Sequence, residues 1–139
     1  MRKDLNMSPG KLAAQVAHCA EAYWTREIAR CSRSDSVNEI GSFLIIPLIV
    51  EKEVLSNYID ASFVKTICEA KNKRDLLKAK DLALEHGLIE NHHFGLIYDN
   101  CLTELTAEEP NGTTLTGIWF CPLPDDIAHQ ISRKYQLYK

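Results

Sequence analysis

Three features are scarce in this 139-residue chain, and each scarcity excludes something. There is no long hydrophobic run. The longest, Phe43 to Val50, falls far short of the roughly 20 apolar residues that cross a bilayer, and the first residues lack the apolar core of a secretory signal. Paired cysteine spacing is also missing. Cys19, Cys31, Cys68, Cys101 and Cys121 are odd in number and form no CxxC, which argues against a disulfide framework and against a zinc site. Positive charge is not in excess: the net charge of −3 does not suggest a general nucleic-acid binder, because clustered Lys and Arg supply affinity for a phosphate backbone. Neither an internal repeat nor a low-complexity segment occurs. The expectation is a soluble protein of a reducing cytoplasm, folded as one domain that buries roughly two-thirds of its unfolded surface without staples.

Local charge is less even. Arg2, Lys3 and Lys11 lie near the start, and Lys65, Lys71, Lys73, Arg74, Lys78 and Lys80 crowd one stretch. Such runs are either a solvated face or a local anion-binding patch.

Strand and helix signals alternate along the chain. Ser8 is a suitable N-cap, Pro9 suits a first helical position, and the apolar positions Leu12, Val16, Ala20 and Tyr23 recur at helical spacing, so a helix is expected from about Pro9 to Arg30. The stretch "CSRSDSVNEIG" reads as a mobile loop or a short turn. "SFLIIPLIV" has strand composition, but Pro47 confines it to an edge strand or to a lead-in for a short helix near 51–60. "FVKTICEA", Phe63 to Ala70, alternates like a strand. Asn72 with Asp75 opens a helix that Gly87 closes. "FGLIYD" and "TLTGIWFC" read as strands, and "PDDIAHQISRKY" as a C-terminal helix. This order implies an α/β fold: a three-layer α/β/α sandwich around a small mixed β-sheet.

Several residues could carry chemistry. Lys11, Gln15 and His18 share one face of the first helix, opposite the Leu12/Val16/Tyr23 face. Lys11 is oddly placed, because the dipole at a helix N-terminus disfavours a cation by roughly 0.3–1 kcal/mol. Either it is a surface lysine with its head in water or it serves an anion there. Asp99 falls at the carboxyl end of a strand, where ligands gather in α/β sheets, with Thr103 four residues on. Asp99 is alternatively a turn-capping aspartate.

Through "RKDLNMSPGKLAAQVAH" at the start, Gly87-Leu88, "LIYDNCLTEL" and "TLTGIWFCPLP", in that order, the chain resembles the archaeal and eukaryotic type of peptidyl-tRNA hydrolase, the second family of that activity. That family opens with R-x-DL-x-M-x-x-GK-x-AAQ-x-x-H and later carries a D-A-G-x-T turn and a T-V-x-x-I-G-P strand. The resemblance covers most of the chain and leaves about 31–62 as an insertion. It implies cleavage of the ester between a peptide and the terminal ribose of tRNA, without metal or cofactor, and a possible homodimer. The family's functional positions fall on Lys11, Gln15, His18, Asp99, Thr103 and Thr116. Two departures stand out. Asn100-Cys101 replaces the Ala-Gly of the family turn, a change that matters if glycine supplied a positive φ there. The chain also starts directly at "RKDL", where the family runs a longer apolar strand, which leaves either a sheet shortened by one edge or a start upstream of Met1.

The resemblance implies roles. Asp99 would orient and deprotonate a water and Lys11 would stabilise the charge that forms. Thr103, Thr116 and Gln15 would position water and ribose, and His18 would support a neighbour rather than act as the base. Two other readings stay open: a thiol hydrolase with Cys101 as nucleophile, and an inactive homologue acting as an RNA-binding or adaptor module.

Overall fold

The computed structural model describes residues 1–139, apart from the side chain of Ser62. Helix α1 spans Pro9–Cys31, capped by Ser8, whose hydroxyl oxygen accepts the Lys11 N–H at 3.3 Å. A hairpin of β1 (Asn38–Ile40) and β2 (Phe43–Ile45) follows, turning at Gly41 with φ +61°. After Pro47 comes α2 (Lys52–Val54), which runs into a π-helical stretch, Leu55–Ser62. Then come β3 (Cys68–Glu69), α3 (Lys73–Glu85), β4 (Phe94–Asp99), β5 (Thr114–Phe120), α4 (Asp125–Ser132) and β6 (Gln136–Leu137).

The first three residues knit the central sheet together. β4 pairs antiparallel with β5, and β3 antiparallel with β6. Between these ladders Met1–Lys3 runs parallel to β3, with Ala70 N–H donating to Met1 O and Lys3 N–H to Ala70 O, both at 2.8 Å. On its other side Arg2 N–H donates to Thr116 O of β5 at 2.9 Å. The order is therefore β4, β5, Met1–Lys3, β3, β6, a small mixed sheet. Helix α1 covers one face and α3 with α4 the other, giving the expected sandwich. Met1–Lys3 lies in the middle of the sheet, between β5 and β3.

The core is on the α3/α4 face. Ala79, Ala83, Phe94 and Ile131 form one buried cluster and Ala70, Leu76 and Leu115 another, joined through Ile118 and Tyr135. Leu96 pairs with Ile118, Ile97 with Gly117 and Tyr98 with Leu115, so Thr116 is an extra residue, a β-bulge. The bulge turns Thr116 and Gly117 both toward α1 while Leu115 stays in the core behind.

Two expectations need correcting. Only the end of the "FVKTICEA" stretch is paired, Cys68–Glu69 with β6 and Ala70 with Arg2, while Phe63 sits at φ +49° and Val64–Thr66 lie outside any ladder. The face of α1 that buries is also not the apolar one. Gln15, Ala22 and Glu27 are buried, whereas Val16 and Tyr23 are half-covered and Ile28 is exposed. The basic stretches are mostly neutralised: Arg2 pairs with Asp4 and Glu108, Lys3 with Glu69, Lys73 with Glu109, Lys78 with Asp75 and Lys80 with Glu90. No helix among the described residues is long and apolar enough to cross a membrane.

Candidate active site

Asp99 is the last residue of β4, and its side chain, 9% exposed, faces the first two turns of α1. Oδ2 of its carboxylate accepts from Lys11 Nζ at 2.6 Å and from Gln15 Nε2 at 2.7 Å, and Oδ1 accepts the Cys101 N–H at 2.8 Å. Asp99 thus caps its own turn and also faces the helix. Burial raises its pKa, but the Lys11 ammonium, the Cys101 N–H and the more distant His18 outweigh that, and the carboxyl is held below its ordinary range.

Lys11 does not have its head in bulk water. Its side chain is 14% exposed, and Nζ also donates to Thr103 Oγ1 at 3.1 Å. The dipole penalty is offset by a carboxylate, which also holds the ammonium beside the helix N-terminus. Gln15 is almost fully buried, and its orientation is set from below: the Thr116 hydroxyl donates to Gln15 Oε1 at 2.6 Å, which leaves Nε2 to donate to Asp99. The bulge in β5 points Thr116 at this helix face, and the chain Thr116–Gln15–Asp99–Lys11–Thr103 results. Of the six residues selected from sequence, these five converge. His18 does not; it is exposed and forms no side-chain hydrogen bond among the described residues.

Chemically, Asp99 has about four lone-pair sites, and three donors take two on Oδ2 and one on Oδ1. One site on Oδ1 remains, and one N–H of Lys11 remains beside it. An ionised acceptor and a cationic donor at one strand end can hold a water and a polarised carbonyl together. Among the described residues no three His, Cys, Asp or Glu side chains converge as metal ligands.

A family model described as peptidyl-tRNA hydrolase PTH2 matches residues 1–138. The chain belongs to the PTH2 family of peptidyl-tRNA hydrolases. Among curated relatives, a protein named peptidyl-tRNA hydrolase from Sulfolobus acidocaldarius is 28% identical over 137 residues, covering 99% of this chain and 94% of its own. A protein of the same name from Thermoplasma acidophilum is 26% identical, with 99% and 92% covered. Membership of PTH2 makes the chain an ester hydrolase of the peptidyl-tRNA class, in line with the motifs.

Within this PTH2 chain, the departure at Asn100-Cys101 has a defined outcome. Cys101 adopts φ +53°, the left-handed region that favours glycine, so the turn holds that conformation with a side chain attached. Two participants escaped the sequence reading. Glu104 grips the α1 N-terminus, accepting from Ser8 N–H and Ser8 Oγ at 2.5 Å each, and so ties the Thr103 loop to the helix that carries Lys11. Nothing but its proximity to Thr103 marks it in the sequence. Arg2, read as part of a basic cluster, is 3% exposed and binds Asp4 at 2.7 Å, Glu108 at 2.8 Å and Leu115 O at 3.1 Å. Its place in the opening motif is the signal that could have singled it out.

Proposed function

We propose that this chain hydrolyses the ester joining a peptide to the terminal ribose of tRNA, with Asp99 and Lys11 as the reacting pair. The observation that carries the proposal is the half-enclosed Lys11–Asp99 contact, with one acceptor site and one N–H left unused. A water held by Oδ1 attacks the ester carbonyl carbon and gives its proton to Asp99 as the C–O bond forms. The oxyanion develops beside Lys11 Nζ and the N-terminal turn of α1. Collapse breaks the bond to the ribose oxygen, which takes the proton from Asp99, and the peptide's new carboxyl group gives the water's second proton to solvent and leaves as a carboxylate. Because Asp99 is held below its ordinary range, it is ionised at neutral pH and ready to orient water, though a weak base. Thr103 fixes Lys11, and Gln15 with Thr116 fixes Asp99. His18, being exposed, is assigned a contact with the substrate.

We further propose that the chemistry needs no metal or cofactor, that 1–139 act as a single domain with 31–62 as an insertion, and that the enzyme works in the cytoplasm as a homodimer. Exposed Ile40, Phe43 and Leu44 on the β1–β2 hairpin support the last point. Cys101 as nucleophile is disfavoured: its sulfur lies 3.5 Å from the Asp99 carbonyl oxygen, and no histidine bonds to it among the described residues.

The test is release of N-blocked aminoacyl groups from tRNA in EDTA by the wild type, Lys11→Ala and Asp99→Asn. Turnover that survives EDTA and falls on the order of 10²–10³-fold in Lys11→Ala and 10²–10⁴-fold in Asp99→Asn is expected. Full activity of either variant removes that residue from the mechanism. A folded wild type that binds tRNA without turnover would favour the adaptor reading.

A further inference from the structure

The basic run at the start of α3 takes no part in the site at Asp99, and not all of it is neutralised. Lys73, Lys78 and Lys80 are paired with carboxylates, whereas Lys71 and Arg74 are exposed and form no ion pair among the described residues. With Lys78 they surround an open hollow of about 400 Å³, lined also by Asn72 and Asp75. Asp75 is the one acid of that lining, and its carboxylate is already engaged: Oδ2 accepts the Lys71 N–H at 3.1 Å and Oδ1 accepts from Lys78 Nζ at 3.3 Å. The helix end itself is closed by Asn72, whose Oδ1 accepts the Asp75 N–H at 2.9 Å. The cations, and not the backbone, therefore define the hollow.

Charge along α3 runs in the order its dipole disfavours. Lys73, Arg74 and Lys78 fill the first half and Asp81 and Glu85 the second, although cations are stabilised near a helix C-terminus and anions near its N-terminus. This order puts the cations at the edge of the sheet that holds Asp99. β3 leads into α3 and runs parallel to Met1–Lys3, which leads into α1. Met1 lies against Gly117 and Arg2 reaches Leu115, so Met1–Lys3 runs against β5 and hence with β4, which ends on Asp99. From Asp99 to Ala70 is three strand spacings, roughly 14–15 Å. Arg133 and Lys134 continue the row, because Gln136 of β6 pairs with Glu69 and the Tyr135 hydroxyl donates to Asp75 O at 2.9 Å. The acids at this edge, Asp4, Glu108 and Glu109, are held by Arg2 and Lys73.

We propose that Lys71, Arg74 and Lys78 bind phosphates of the RNA strand whose terminal ribose lies at Asp99, which rests on the hydrolase reading above. A chain of net charge −3 has no general attraction for RNA, so affinity has to come from a local row of cations. The cleft at Asp99 offers a single ammonium, Lys11, and that one is committed to a carboxylate. The row at α3 lies on the same edge, within a few nucleotides' reach of the ester, and its two free cations have no carboxylate to leave. Such contacts position the RNA without reading its bases. They act on binding alone, because the reacting atoms lie three strands away.

The experiment compares Lys71→Ala/Arg74→Ala with Arg26→Ala/Arg33→Ala, which removes the same charge from exposed positions toward and just past the other end of α1, roughly 25–40 Å from Ser8. Uncharged tRNA is titrated at several salt concentrations, and the tRNA ester is assayed for kcat and KM. The α3 variant is expected to bind tRNA about tenfold or more weaker at 0.1 M salt. Its slope of log affinity against log salt should be shallower by about 1.4–1.8, or roughly 0.7–0.9 for each lost phosphate contact. KM rises by a like factor while kcat stays within about twofold. Tm holds or rises, since a cation leaves the start of a helix, an outcome that a merely structural role would not give. Unchanged affinity and slope in the α3 variant, an equal change in the α1 variant, or a fall in kcat with KM constant overturns the proposal. Uncharged tRNA is bound without cleavage, so a wild type that shows the slope difference and releases no ester would uphold the phosphate row and refute the hydrolase reading alone.

Discussion

Replacing Cys101 with glycine should stabilise the protein and leave its chemistry intact. Cys101 sits at φ +53°, and a residue with a Cβ there costs roughly 1–2 kcal/mol. Glycine removes that cost but adds freedom to the unfolded chain, worth about 0.5–1 kcal/mol the other way. The net gain is about 0.5–1 kcal/mol, or a rise in Tm of roughly 2–5 °C for a domain of this size. Cys101→Ala separates the backbone effect from the thiol, since it keeps the Cβ and loses only the 3.5 Å contact of sulfur with the Asp99 carbonyl oxygen. It should stay within about 0.5 kcal/mol of wild type. Urea denaturation of the three proteins with a shared m-value measures the differences, and ester release measures turnover, expected to be the same within a few-fold. A glycine variant no more stable than the alanine variant would mean that the turn is not left-handed in solution. Lost turnover in Cys101→Ala would return the thiol to the reaction.

Thr116→Val removes the donor that orients Gln15, leaving Oε1 unpaired in a buried site; a loss of about 1–3 kcal/mol and lower turnover are expected, with Thr116→Ser close to wild type in both. Gly95→Ala would place a Cβ 2.7 Å from Trp119 Nε1, and because Tyr23 and Arg26 hold the indole from the other side, it should cost about 1–3 kcal/mol and shift tryptophan emission, as seen by chemical denaturation and fluorescence.

Where local chemistry decided the structure, the sequence was legible. Ser8 and Asn72 cap the two long helices as their side chains suggest, and β4 ends on Asp99 as its turn residues imply. Non-local pairing was not legible. The alternation of Phe63 to Ala70 predicts a strand, but a ladder needs a partner edge, and only the last residues, Cys68 to Ala70, meet one. At the site, spacing placed Lys11 and Gln15 on one helix face but could not say that this face is buried, because that depends on a bulge. The extra residue at Thr116 breaks the two-residue period by which a strand's faces are read. His18 shows the converse limit, since a shared helix face three residues beyond Gln15 has already turned away from the sheet.

The relay between Thr116 and Gln15 joins residues 101 positions apart, and Arg2 reaches Leu115 across 113. No growing chain that ends before Thr116 can contain the site, however well α1 has formed. Contacts of such long sequence separation also form late and slowly, since loop closure precedes their gain. During its own synthesis the protein is itself a peptide esterified to tRNA, of the class its family cleaves. On the proposed mechanism, the distance along the chain between Gln15 and Thr116 leaves the site incomplete until Thr116 has been made.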